Sequence, residues 1–284
     1  MGIQFEKVNF FYPKNNQNQT VLALNNINLK IAAKNEFIAL VGKTGSGKST
    51  LVQLMNALLT TNNGKITIFN QNINNQTNKN LLTALRKKVG LVFQFPEYQL
   101  FEATILKDVM FGPENFFKNK EIVHQKAKEA LKHIGIKTDL YLKSPFQISD
   151  GQQRKVALAG IIAMEPDILI LDEPTRGLDA ISKTSIMRFL NDLNVVFEKS
   201  IILITHDMNL VAQYAKRVIA LDKGEILFDG QTKAFFENPE FHRFNLDFPE
   251  TFKILQHLNK TLGIPFKPQY CFPDLLKYLK KFYD

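Results

Sequence analysis

The chain has 284 residues, 45% of them hydrophobic, enough for a sizeable core in one large domain or one domain with an appendage. Lys and Arg (36) outnumber Asp and Glu (27), and the net charge of +9 suits an anionic partner such as a nucleotide, a nucleic acid or an anionic membrane face without choosing among them. A single cysteine, Cys271, excludes an internal disulfide and gives no cysteine metal cluster, and the longest apolar run, Val156 to Met164, falls far short of the ~20 residues that cross a bilayer.

At the start of the chain Glu6 and Lys7 stand where a signal peptide would be apolar, which predicts a protein that stays in the cytosol. "IQFEKVNFFY" and "GKITIFN" read as an antiparallel flank. "FIALV" at 37–41, "VGLVF" at 89–93, "DILILD" at 167–172, "SIILITH" at 200–206 and "RVIAL" at 217–221 read as buried strands. Helical patterns lie between them, as at 120–134, where Val123, Ala127, Ala130, Leu131 and Ile134 share a face, and at 179–198. This alternation predicts an α/β fold with a mostly parallel sheet and helices on both sides. "KNNQNQT" at 14–20 and "NQNINNQTNKN" at 70–80 lack apolar periodicity and read as loops. From Thr232 onward, helical segments are interrupted by Pro239, Pro249, Pro265, Pro268 and Pro273, with Phe252, Leu255, Leu258 and Leu262 spaced for one helix face. The expected division is a domain over 1–231 and a helical appendage over 232–284.

Chemistry concentrates in two motifs. "GKTGSGKST" (Gly42, Lys43, Thr44, Gly45, Ser46, Gly47, Lys48, Ser49, Thr50) follows the strand "FIALV" and precedes the helical "LVQLMNALL". Its glycines let backbone N–H groups turn inward around phosphate oxygens, and the following helix adds its positive end. Lys48 is placed for the β- and γ-phosphates, Ser49 for Mg²⁺ and Thr50 for the α-phosphate. "DILILDEP" supplies two carboxylates at a strand end: Asp172 for Mg²⁺ through water, and Glu173 to orient or deprotonate an attacking water. Two like charges there require a compensating cation. Gln94 and His206 end neighbouring strands and are expected on the γ-phosphate side, with Gln94 joining Ser49 and Asp172 as a candidate Mg²⁺ ligand.

The order of phosphate loop, Gln94, Ser149-Asp150-Gly151-Gln152, Asp172–Glu173, "RGLD" at 176–179 and His206 resembles the ATP-binding-cassette ATPases over residues 1 to about 230. The resemblance implies ATP and Mg²⁺ as ligands, a helical subdomain at about 95–163, Asp179 among the nucleotide-contacting residues, and Tyr12 as an aromatic that stacks on adenine. It further implies that Ser149, Gly151 and Gln152 cover the γ-phosphate held by the opposite subunit of a head-to-tail dimer. Asp150 departs from that pattern, which has a Gly there. Either its carboxylate approaches the partner's phosphate, paired with Arg154 or Lys155, in an asymmetric heterodimer with unequal sites, or it caps the helix that follows.

"FQFPEYQLFEATILKDVMFGPENF", "SPFQISDGQ" and the tail "FENPEFHRFNLDFPETFKILQHLNKTLGI" resemble the ATPases of energy-coupling factor transporters, in particular the second of their two ATPase types. That branch implies a peripheral protein on the cytoplasmic face of the membrane. Its partners would be a second cassette ATPase, a transmembrane coupling protein and a substrate-binding membrane protein. Glu97, Gln99 and Phe101 would face a groove for coupling helices, and the tail would hold the two ATPases together. Other cassette importers share the catalytic residues. Nucleic-acid ATPases of the same fold insert a long coiled coil between phosphate loop and signature, which this chain lacks, so no nucleic-acid partner is expected. A non-hydrolytic subunit would be expected to have lost Glu173 or His206.

Overall fold

The computed structural model describes residues 2–13 and 20–282; all of "KNNQNQT" except Thr20 lies outside them. In chain order the elements are β1 (Ile3–Pro13), β2 (Thr20–Ile31), β3 (Phe37–Val41), α1 (Lys48–Met55), β4 (Lys65–Ile68), β5 (Gln71–Ile73), α2 (Lys79–Lys88), β6 (Val89–Val92), α3 (Ile105–Glu114), α4 (Lys120–His133) and α5 (Asp150–Ile162). They continue with β7 (Ile168–Asp172), α6 (Ala180–Val195), β8 (Ser200–Ile204), α7 (Met208–Tyr214), β9 (Arg217–Asp222), β10 (Glu225–Gln231), α8 (Thr232–Phe236), α9 (Glu250–Leu262) and α10 (Phe272–Leu279).

One sheet has the order β10-β9-β3-β8-β7-β6, parallel throughout except for the β10 edge. Its strands are apolar at nearly every position because both faces are covered. Phe37, Ala39 and Val41 face one core with Leu169, Leu171, Ile201 and Leu203. Ile38, Leu40, Ile168, Ile170, Ile202 and Ile204 face a second core, shared with Ile3, Phe5, Leu29, Ile66 and Ile68 of the antiparallel sheet β2-β1-β4-β5. The α/β expectation and the antiparallel flank thus match the observed fold.

One local expectation changes, and one long strand goes beyond the sequence reading. The segment 70–80 is not all loop, since Gln71–Ile73 pairs with β4 and Asn78 caps α2 by accepting from the Asn80 amide. Only Ile73 is buried there, so a single apolar residue left no period to read. The twelve-residue β2 carries alternating buried Ile27, Leu29 and Ile31, a period-two signal diluted by the surrounding asparagines.

Beyond β10, Phe235, Phe236, Phe241 and Phe244 belong to the same core as α3–α6. An aromatic series continues outward, with Phe248 stacked on Phe241 (4.3 Å) and Phe252 on Phe248 (4.1 Å). Leu255, Ile264 and Leu275 then form a small core between α9 and α10. Phe252 and Leu255, on the apolar helix face of a tail expected to hold two ATPases together, are therefore used within the chain. Helical spacing marks an apolar face but does not say what covers it. Leu262, Phe272 and Leu276 remain exposed.

Candidate functional site

The phosphate loop turns directly out of β3. A Cβ at Gly42 would lie 2.2 Å from the Leu221 carbonyl oxygen on the neighbouring β9, so a side chain cannot fit there. Gly47 has φ 103° and would clash with the Ala23 carbonyl at 2.8 Å, so it too must lack a side chain for the chain to enter α1. Lys43, Thr44 and Gly45 form the exposed crest of the loop. Lys48 Nζ folds back to donate to the carbonyls of Gly42 (2.7 Å) and Lys43 (2.8 Å). Among the described residues, Ser46 Oγ is the buried side-chain polar atom without a hydrogen-bond partner.

A cleft of about 580 Å³ gathers Tyr12, Thr44, Gly45, Gly47, Lys48, Ser49, Thr50, Gln94, Asp172, Glu173 and His206. The sheet order explains this convergence: β3, β8, β7 and β6 are adjacent and parallel, so the residues following their carboxyl ends share one edge. Tyr12 lies on the rim, its hydroxyl 3.2 Å from Thr50 Oγ1 and its ring edge-on to Phe10. Glu173 has φ 48°, a left-handed conformation unusual for a residue with a side chain. Its amide donates to the Ile204 carbonyl at 3.0 Å, and its Oε1 accepts from the His206 amide at 3.0 Å. His206 Nε2 stands 3.7 Å from the same oxygen.

Burial dominates the electrostatics. It raises the carboxyls of Asp172 and Glu173 above their ordinary range, against the opposing pull of Lys48 on Asp172 and of His206 on both. Burial likewise lowers the Lys48 ammonium, with Asp172 and Glu173 partly offsetting it. Two desolvated carboxyls beside a desolvated amine make a donor set that fits a phosphate chain with a divalent cation.

Ser149, Asp150, Gly151, Gln152 and Asp179 do not line this cleft. Ser149 is the N-cap of α5, with its amide donating to Gln152 Oε1 at 3.2 Å in a capping box. Gly151 sits tightly against α6, where a Cβ would come within 2.6 Å of Ser182 Oγ. Asp179 caps α6, accepting from the Ser182 amide (2.9 Å) and hydroxyl (2.8 Å), and these bonds hold its carboxyl below the usual range. Asp150, at the first helical position, is exposed, so the cap expected of it belongs to Ser149. Of the two partners expected for Asp150, Arg154 or Lys155, the first is not available: Arg154 is buried and its guanidinium is taken by Glu97. That ion pair also removes Glu97 from the groove. Gln99 and Phe101 do line a groove of about 390 Å³, together with Arg86, Asp108 and Phe111.

Sequence reading missed Arg176 and Lys223, which line the cleft. Arg176 is three residues beyond Glu173 and lay within reach of motif reasoning. Lys223 reaches the site only because β9 is the sheet neighbour of β3, with the Gly224 amide donating to the Ser46 carbonyl at 3.0 Å.

The ABC transporter family profile matches residues 24–176. The chain is 42% identical to the energy-coupling factor transporter ATP-binding protein EcfA2 of Ligilactobacillus salivarius over 98% of both chains. It is 45% identical to the protein of the same name from Bacillus subtilis, over 86% of this chain and 89% of that one. Among solved structures, cbiO1 from Clostridium perfringens, part of the ABC transporter complex cbiONQ, superposes with a TM-score of 0.74 at 32% identity, covering 92% of this chain and 95% of that one. A dimeric ATP-binding cassette in a post-hydrolysis state bound to ADP and Pi gives 0.71 at 30% identity, over 81% and 98%. The chain belongs to the ABC transporter ATPase family, in the branch of energy-coupling factor transporter ATP-binding proteins.

Proposed function

We propose that this chain is the ATP-binding and ATP-hydrolysing subunit of an energy-coupling factor importer. It would work on the cytoplasmic face of the membrane with a second cassette ATPase, a transmembrane coupling protein and a small substrate-binding membrane protein, and energise uptake of a vitamin or transition-metal ion. The observation that carries this reading is the convergence of Lys48, Gln94, Asp172, Glu173 and His206 on one cleft, in a chain whose relatives bear that transporter's name.

In this reading backbone amides of the phosphate loop and the Lys48 amine bind the β- and γ-phosphates, and Tyr12 lies against the base. Ser49, Gln94 and Asp172 would hold Mg²⁺, which when bound neutralises phosphate charge and draws electrons toward the leaving oxygens. Glu173 orients the attacking water and accepts its proton, and the His206 amide, fixed on Glu173 Oε1, aims that carboxylate. His206 itself reaches toward the γ-phosphate side. Ser149, Gly151 and Gln152, on the start of α5 and outside this cleft, would serve the phosphate held by the partner ATPase. ATP would then bridge the two subunits, and its cleavage would release them.

The test is affinity capture of the tagged protein from its own membranes in mild detergent. Recovery of a second cassette ATPase, a helical membrane scaffold and a small membrane protein is expected. Recovery with nucleic acid and no membrane protein would leave the ATPase chemistry standing and remove the importer.

A further inference from the structure

Arg154 has only 3% of its surface exposed, although it lies near the start of a helix that begins at the surface. Its Nε donates to Glu97 Oε2 at 2.9 Å, and its Nη2 donates to Glu97 Oε1. Nη1 donates to the Arg176 carbonyl at 2.6 Å and, at 3.4 Å, to that of Pro174. The guanidinium carbon lies 5.8 Å from the centre of the Phe95 ring. One planar cation therefore joins three segments with different duties: residues 94–99, the helix that begins at Asp150, and the turn after Glu173.

A buried ion pair is not in itself a reason for stability, because desolvation cancels much of its attraction and an apolar pair of similar volume often does as well. An apolar pair cannot fix direction. The guanidinium fork holds a carboxylate and two backbone carbonyls in one geometry, and Arg154 spends its donors on all three. Tyr98 and Phe101, 84% and 56% exposed, stand on the outer side of the segment that Glu97 anchors. The Pro174–Arg176 turn on the other side follows Glu173 directly, and the Arg176 amide donates back to the Glu173 carbonyl at 3.2 Å.

We propose that Arg154 is a positioning residue that binds the segment carrying Gln94 and Glu97 to the turn after Glu173, so that the two shift as one body. A push on the exposed side, at Tyr98 or Phe101, then reaches the base through a fixed fork of hydrogen bonds instead of dissipating in a loop. This inference rests on the ATPase reading of the cleft and holds whichever partner does the pushing.

The test uses the full-length protein and the variants Arg154→Met, Glu97→Gln and both together. Steady-state ATP hydrolysis and hydrogen exchange of residues 94–100 and 174–178 are measured, with β3 and β8 as internal references. Arg154→Met is expected to lower kcat ~10-fold or more with little change in KM, as misplacement of a reacting group does. It should speed exchange in both segments while β3 and β8 stay protected. The double variant should be no worse than Arg154→Met, since the two side chains act as one unit. A merely structural role would instead lower protection everywhere. Wild-type kcat, or faster exchange in one segment alone, overturns the proposal while leaving the importer reading intact. Should Arg154→Met fail to fold, Glu97→Gln decides. It keeps the carbonyl contacts, so it should loosen 94–100 and lower kcat at constant KM, and an unchanged kcat overturns the proposal equally.

Discussion

Glu173 and His206 are joined at a single oxygen: the His206 amide donates to Glu173 Oε1 at 3.0 Å, and His206 Nε2 stands 3.7 Å from that atom. The carboxylate is thus aimed by the end of β8 while its own backbone leaves β7 in a left-handed turn. Glu173→Gln should keep ATP binding but cut phosphate release at least ~100-fold, the scale on which a general base contributes. Near-normal turnover in a single-turnover assay would remove Glu173 as the base.

The same residue carries a pH signature. Burial raises the Asp172 and Glu173 carboxyls, so the folded chain holds these protons more tightly than the unfolded chain does. The resulting stability is fully present below the unfolded value, near ~4 for carboxyls, and is lost as pH rises through the raised folded value. At pH 7 the ionised pair therefore costs stability when no nucleotide is bound. Glu173→Gln should raise the Tm of nucleotide-free protein at pH 7, by an amount that shrinks on acidification toward pH 4. A gain that is the same at both pH values, or a loss, would contradict this.

Gly151→Ala should strain the contact of α5 with α6, because its Cβ would fall 2.6 Å from Ser182 Oγ, itself held by Asp179. A loss of ~1–3 kcal/mol in urea unfolding is expected, the usual scale of overpacking. Adding Ser182→Ala should recover part of it. Full wild-type stability of the single variant would mean the two helices separate at no cost.

Asp150 is exposed at the first position of α5, where a carboxylate suits the helix dipole. If that carboxylate faces the partner's γ-phosphate, Asp150→Gly should speed turnover at the partner's site and leave this chain's own site unchanged. Turnover counted in complexes with one catalytic base removed at a time distinguishes the two sites. No change at either would confine Asp150 to the helix end.

In the tail, Leu255 is fully buried whereas Leu262 and Leu276 are exposed. Leu262→Asp with Leu276→Asp should loosen the pairing of two ATPase subunits while leaving the monomer folded, and Leu255→Asp should unfold α9 and α10. Mass in solution together with circular dichroism separates these effects. An unchanged mass for the first pair would assign dimer contacts elsewhere.

The strands and the cleft were legible for one physical reason. Strands of a parallel sheet covered on both faces are continuously apolar, and residues just past their ends must share an edge, so Gln94, Glu173 and His206 could be grouped before any coordinates. What stayed hidden depends on partners distant in sequence. Glu97 reads as an exposed acid until Arg154, 57 residues away, is found beside it. Phe252 and Leu255 read as an open face until the aromatic series from Phe241 and the short α10 are seen to cover them. Lys223 enters the cleft only through strand order.

The most direct measurement is uptake by the purified assembly in lipid vesicles, with ATP supplied on the side that carries this chain. Accumulation of the small membrane partner's ligand should follow ATP cleavage and be lost when this chain carries Glu173→Gln. Uptake that persists with Glu173→Gln, or ATP cleavage that never moves a solute, would contradict an ATP-driven importer powered by this cleft.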